Sequence, residues 1–120
     1  MGTILVEGIK VYAYHGCLDE ESKIGADYIV DVTLETDLSK SAMSDDLQDT
    51  IDYVRVYEIV KLQMAVRSKL IEHVAKRISD NLRSEFTTIL TVQVKVTKLN
   101  PPMNGNVEKV SVQLKNTKKG

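Results

Sequence analysis

The chain has 120 residues, 42% of them hydrophobic and 28% charged, with a formal net charge of −1. This is the make-up of one soluble globular domain, 1–120. It lacks the broad basic footprint of a nucleic-acid binder, and no stretch approaches the roughly 20 apolar residues that span a bilayer. The opening MGTILVEGIKVYAYHG does not follow the basic-then-apolar order of a secretory leader. Cys17 is the only cysteine, so no internal disulfide forms and a reducing cytoplasm is the expected location.

Residues 4–14, ILVEGIKVYAY, are rich in β-branched and aromatic residues and predict a strand, with Gly8 marking a bulge or a close backbone approach. Residues 15–26 are turn-rich and acidic and read as a loop. Over 28–37 the chain alternates. Tyr28, Val30, Val32, Leu34 and Thr36 share one face, and Ile29, Asp31, Thr33, Glu35 and Asp37 share the other, the pattern of an antiparallel strand with one wet face. Residues 39–50 are polar and predict a short helical turn inside a loop.

From Tyr53 the period changes. Tyr53, Val56, Val60 and Met64 follow helical spacing, and from Leu70 a stronger stripe runs through Ile71, Val74, Ala75, Ile78 and Leu82, with Glu72, Lys76, Arg77, Asp80 and Arg83 outside it. Two strands close the chain. In the first, Leu90, Val92, Val94 and Val96 alternate with Thr91, Gln93, Lys95 and Thr97. In the second, over 108–115, Val110, Val112 and Leu114 form the apolar side. The order β-β-α-α-β-β predicts an α+β fold: a four-stranded antiparallel sheet with two helices on one face. The other sheet face carries Asp31, Thr33, Glu35, Thr91, Gln93, Lys95, Ser111 and Gln113, and is either solvated or the polar lining of a larger barrel.

Lys98 falls in the apolar phase where the third strand ends, just before Asn100-Pro101-Pro102. Such a lysine either snorkels its charge past the core edge or is a partly desolvated amine serving as acid, base or nucleophile. Glu72, in the first turn of the second helix, either complements the helix dipole or pairs through two parallel hydrogen bonds with a guanidine-like edge. Glu20 and Glu21 are loop carboxylates, Tyr53 is a core-edge aromatic with a free hydroxyl, and His15 with His73 and Cys17 makes a poor metal set.

Together these stretches resemble the dihydroneopterin aldolase family of folate biosynthesis. YAYHGCLDEESKIGADYIVDVTLETDL is similar to its opening, SDDLQDTIDYVRVYEIV to its central segment, LIEHVAKRI to its second long helix and VKVTKLNPP to its third strand end. The chain departs where Met103-Asn104-Gly105 follows the prolines, in the short VRSK connection, and at Asp52.

The resemblance implies the tunnelling fold, whose units close an oligomeric β-barrel, and a homo-octamer of two tetrameric rings with sites between subunits. It implies a small pterin substrate, 7,8-dihydroneopterin, and neither metal nor cofactor, because the dihydropterin ring C=N itself accepts the electrons of the breaking bond. It places the catalytic lysine at Lys98 and the loop glutamate at Glu21, with Glu20 one residue away. The tyrosine from the neighbouring subunit falls at Tyr53, with Ile51 lining the ring pocket. The pterin-anchoring glutamate falls at Glu72, with the backbone of Ile71 beside it. Three other functions stay open at this level. An epimerase shares the half reaction, and a phosphorylated substrate for it has only Lys23 as a nearby basic residue. A non-catalytic pterin- or purine-binding ring needs Glu72 but not Lys98 with Tyr53. A structural assembly module needs none of these positions.

Overall fold

The computed structural model describes residues 1–119. Four strands, β1 (Gly2–Ala13), β2 (Ala26–Thr36), β3 (Thr91–Leu99) and β4 (Lys109–Thr117), form one antiparallel sheet whose spatial order matches the chain order. Between β2 and β3 the chain crosses the sheet through two long helices, α3 (Tyr53–Met64) and α4 (Ile71–Glu85). α3 packs over β1, and α4 packs over β3 and β4. The α+β class and the single sheet follow the sequence pattern.

The helix count does not. A short helix, α1 (Asp19–Lys23), falls in a segment read as a loop, and the single short helical turn expected over 39–50 is a short helix, α2 (Ser39–Ser44), followed by a 3₁₀ turn (Leu47–Asp49). Neither short helix buries a residue, so neither carries an apolar stripe to be read.

β2 alternates as expected, with Tyr28, Val30, Val32, Leu34 and Thr36 all buried. Gly8 sits at a bulge where the β1–β2 register shifts between Val6 and Ile9. Its φ of 71° suits glycine, and its N–H donates to Asp31 Oδ1 at 2.8 Å. Asp52 caps α3 by accepting the Val54 N–H at 2.9 Å, which gives the departure at that position a structural role.

The core lies between the sheet and the helices. Val56, Ile59, Val60 and Met64 come from α3, and Val74, Ala75, Ile78 and Leu82 from α4. Each large apolar side chain buried there contributes about 1.5–3 kcal/mol. Arg77 departs from its expected outward position. Its guanidinium folds back onto the C-terminal end of α3, donating to the carbonyls of Gln63 at 3.2 Å and Val66 at 2.6 Å. There it adds a charged donor to carbonyls at the helix end.

β4 is an edge strand, and Val110, on its expected core side, is 41% exposed. On the opposite sheet face, Asp31, Lys95 and Gln113 stand in register, and with Glu7, Thr33 and Gln93 they line a shallow polar hollow of ≈ 280 Å³. The molecule is elongated, 52 × 25 × 23 Å. Its radius of gyration of 15.6 Å exceeds the roughly 14 Å typical of a compact domain this long.

Candidate active site

At one end of the sheet three connections meet: residues 14–25 after β1, residues 65–70 between α3 and α4, and residues 100–108 after β3. Lys98 projects into this corner from the last turns of the β3 ladder, opposite Tyr28 of β2. It is 6% exposed. Its Nζ donates to the His15 carbonyl at 2.8 Å and to the Glu21 carboxylate. It also lies 5.7 Å from the centre of the Tyr28 ring.

Burial pushes the Lys98 amine down, but the Glu21 carboxylate, through its hydrogen bond and its negative charge, outweighs it. The amine is held above the ordinary lysine value. At rest it is an ammonium, a proton donor. The Tyr28 hydroxyl, pushed up by burial, stays protonated and donates to the same His15 carbonyl at 2.8 Å.

Glu21 reaches Lys98 because Gly16 leaves room. A Cβ built at Gly16, whose φ is 151°, would collide with the Glu21 carboxylate. Lys98, Glu21 and Glu20 line a half-open cavity of ≈ 370 Å³ with Leu18, Ile24 and Pro102. Among the two loop carboxylates it is Glu21 that contacts the amine. Just past Lys98, Asn100 takes a left-handed conformation (φ 49°) and its N–H closes the hairpin onto the Glu108 carbonyl at 2.8 Å.

Behind Lys98 lies a polar network that the sequence pattern did not reveal. The fully buried His15 ring accepts the Ser68 N–H on Nδ1 at 2.9 Å, and the Gly16 N–H donates to the Ser68 carbonyl at 3.0 Å. Ser68 Oγ lies 2.8 Å from His73 Nδ1 and accepts from Arg77 at 2.9 Å. Arg67 donates to the carbonyls of Tyr14 at 3.0 Å and Gly16. The one available signal was Tyr28, a hydroxyl-bearing side chain in the core phase of β2.

Of the other expected site residues, Ile71 and Glu72 open α4, one short step from Ser68. Glu72 is exposed and does not line the Lys98 cavity. Tyr53 and Ile51 lie at the opposite end of the sheet, around an apolar depression with Ile4, Leu38 and Leu47. Ile4 pairs with Leu34, and Lys98 pairs with Tyr28. The six residue steps along β2 between those rungs put the two groups about 20 Å apart. One chain therefore does not bring Tyr53 to Lys98.

The dihydroneopterin aldolase (FolB) family model matches residues 4–115. The chain is 40% identical over 112 residues to a dihydroneopterin aldolase from Staphylococcus epidermidis, covering 92% of this chain and 93% of that protein. It is 37% identical over 115 residues to one from Bacillus subtilis, covering 95% and 96%. The structure of E. coli dihydroneopterin aldolase in complex with neopterin superposes with a TM-score of 0.88 at 26% identity, over 97% of this chain and 99% of that one. These matches put the chain among the lyases. It belongs to the dihydroneopterin aldolase family.

Proposed function

We propose that this chain cleaves 7,8-dihydroneopterin by a retro-aldol reaction to 6-hydroxymethyl-7,8-dihydropterin and glycolaldehyde. The observation that carries the reading is the buried Lys98–Glu21 pair at a cavity lined by one charged corner and apolar walls, in a chain of this family.

The 2′-hydroxyl gives up its proton, the C1′–C2′ bond breaks, and glycolaldehyde leaves. The electron pair moves onto the ring C=N, and C1′ then takes a proton to give the hydroxymethyl product. Because the resting Lys98 is an ammonium, its first role is to donate toward the ring nitrogen that receives the electrons, directly or through a water, and the amine so formed then acts as base. Two of its three N–H donors are held by His15 and Glu21, which aims the third. Glu21 keeps the amine charged. Glu72 anchors the amino-pyrimidine edge of the pterin, with the backbone of Ile71 beside it. Re-addition of glycolaldehyde to the other face would give an epimer as a side product.

Tyr53 relays protons at the side-chain hydroxyl and the departing carbon. Its distance from Lys98 within a chain is the reason to assign Tyr53 and Ile51 to the site of a neighbouring subunit. The same assembly, an octamer of two tetrameric rings, would cover the unpaired outer edges of β1 and β4 and turn the polar sheet face into the lining of a barrel. Leu47, Tyr53, Val54 and Leu62, each at least 56% exposed, would then lie between subunits.

The test is incubation of the purified protein with 7,8-dihydroneopterin and a chelator, beside Lys98→Ala, with products separated by chromatography. Glycolaldehyde and 6-hydroxymethyl-dihydropterin from the unaltered protein alone are expected. Pterin binding without turnover would overturn the reading in favour of a binding ring.

A further inference from the structure

His15 occupies a singular place. Its ring faces the α3–α4 connection and its carbonyl faces Lys98 and Tyr28. On the ring side, Nδ1 accepts the Ser68 N–H while the Ser68 carbonyl accepts the Gly16 N–H, so the two segments are laced in both directions. Ser68 is in turn held by Arg77 of α4 and lies three residues before the turn that opens with Ile71 and Glu72. On the carbonyl side, one oxygen accepts from both Lys98 Nζ and the Tyr28 hydroxyl at 2.8 Å each. The ring packs edge-on against Tyr28, with centroids 5.3 Å apart.

Nδ1 is an acceptor here, so the proton sits on Nε2, which is buried without a hydrogen-bond partner. A buried unpartnered N–H is a cost, and a leucine of similar size would avoid it. What histidine adds over leucine is the Nδ1 acceptor and the register it imposes between residue 15 and residue 68.

We propose that His15 is a positioning residue of the lyase reaction: its ring fixes the residue 15 carbonyl relative to Ser68, and that carbonyl sets Lys98 at a defined distance from the start of α4. The inference rests on the aldolase reading for its kinetic consequence, but not for its geometry. In the resting protein the ring is neutral, because burial first, then the positive charges of Arg77, Lys98 and Arg67, hold its pKa down.

Asparagine places Oδ1 close to the position of Nδ1, whereas glutamine moves its acceptor one bond further out. His15→Gln is expected to lower kcat by about tenfold or more while KM for dihydroneopterin changes by less than about threefold. His15→Asn is expected to restore kcat to within about threefold of the unaltered protein. Equal kcat in all three proteins would overturn the proposal. So would equal losses in both variants that track loss of thermal stability, the mark of a merely structural role.

Two further measurements guard the result. The ¹⁵N resonance of the Lys98 amine, assigned by its absence in Lys98→Ala, should titrate nearer an ordinary lysine in His15→Gln than in His15→Asn. Identical titrations would overturn the proposal even if the unaltered protein failed to cleave dihydroneopterin, a failure that would count against the aldolase reading alone. If His15→Gln does not fold, Tyr28→Phe removes the second of the two donors, the hydroxyl, from the same carbonyl. A lowered kcat is expected there, and an unchanged kcat together with an unchanged Lys98 titration would overturn the proposal.

Discussion

Where β3 stops, Lys98 is 6% exposed and its ammonium is matched by a carboxylate, a carbonyl and a tyrosine ring; at the other end of the same sheet Tyr53 is 65% exposed beside an apolar depression. The first end satisfies its charges within one chain. The second leaves apolar surface in water, although Asp52 caps the start of α3 there and Arg55 Nε lies 2.7 Å from Glu85 Oε1. The difference teaches how this sheet divides its labour. Charge must be paired where it is buried, so the Lys98 corner is completed by contacts within one chain. An apolar surface can be left open when another copy of the chain covers it.

The comparison predicts unequal damage. Lys98→Ala removes the only buried amine of the first end and should lower kcat by about 10²–10⁴-fold, with pterin binding changed little. Product formation and equilibrium binding of neopterin, measured on the same preparation, check the split. Glu72→Ala removes the carboxylate proposed to anchor the pterin and should weaken neopterin binding by about 10–100-fold. Titration followed by pterin fluorescence reads that loss. If both variants lost binding and turnover in the same proportion, the division of roles between the strand end and the helix start would fail.

Much of this was legible from period alone. The apolar alternation of β3 runs through Val92, Val94 and Val96 and lands on Lys98, so the core phase of the lysine was legible, while period left snorkelling and burial both open and the structure decides for burial. The stripe of α4 was equally plain, from Val74 to Leu82. What period cannot show is a contact whose two partners are far apart in sequence and polar. His15 read as a turn histidine because nothing near it predicts that Ser68, 53 residues on, donates to its ring. Arg77 read as a surface charge because helical phase puts it off the apolar stripe, yet its long side chain bends to carbonyls at the end of α3. α1 went unseen because a five-residue helix with no buried face leaves no repeat. The Glu21–Lys98 contact also needed Gly16, whose missing Cβ makes room for the carboxylate.

His15 offers a third test, on stability. Burial first, then Arg77, lower its pKa from the usual 6.5 to about 4. Between those values the unfolded chain binds a proton that the folded chain refuses, so folding stability should fall as pH drops through 6.5 toward 4. At pH 5 the loss relative to pH 7 is about 2 kcal/mol from this ring. Urea unfolding at both pH values, compared between the unaltered protein and His15→Asn, isolates it, since asparagine does not titrate. An identical pH dependence in the two proteins would mean that the ring is reached by water and charges freely, and the first end would be less sealed than its contacts indicate.

The smallest effect is the most direct on the comparison itself. Lys98→Ala disables one end of the sheet and Tyr53→Phe the other, and each homogeneous variant should turn over poorly. If a working site takes Lys98 from one chain and Tyr53 from its neighbour, chains mixed and reassembled in equal amounts restore some sites with both groups intact. Random assembly makes that about one site in four, so roughly a quarter of the unaltered activity should return. If Lys98 and Tyr53 of the same chain served one site, every site in the mixture would carry one lesion and no activity would return. The roughly 20 Å between the two groups along β2 favours the first outcome. Recovery near a quarter would make the open end of each chain the missing half of its neighbour's closed end.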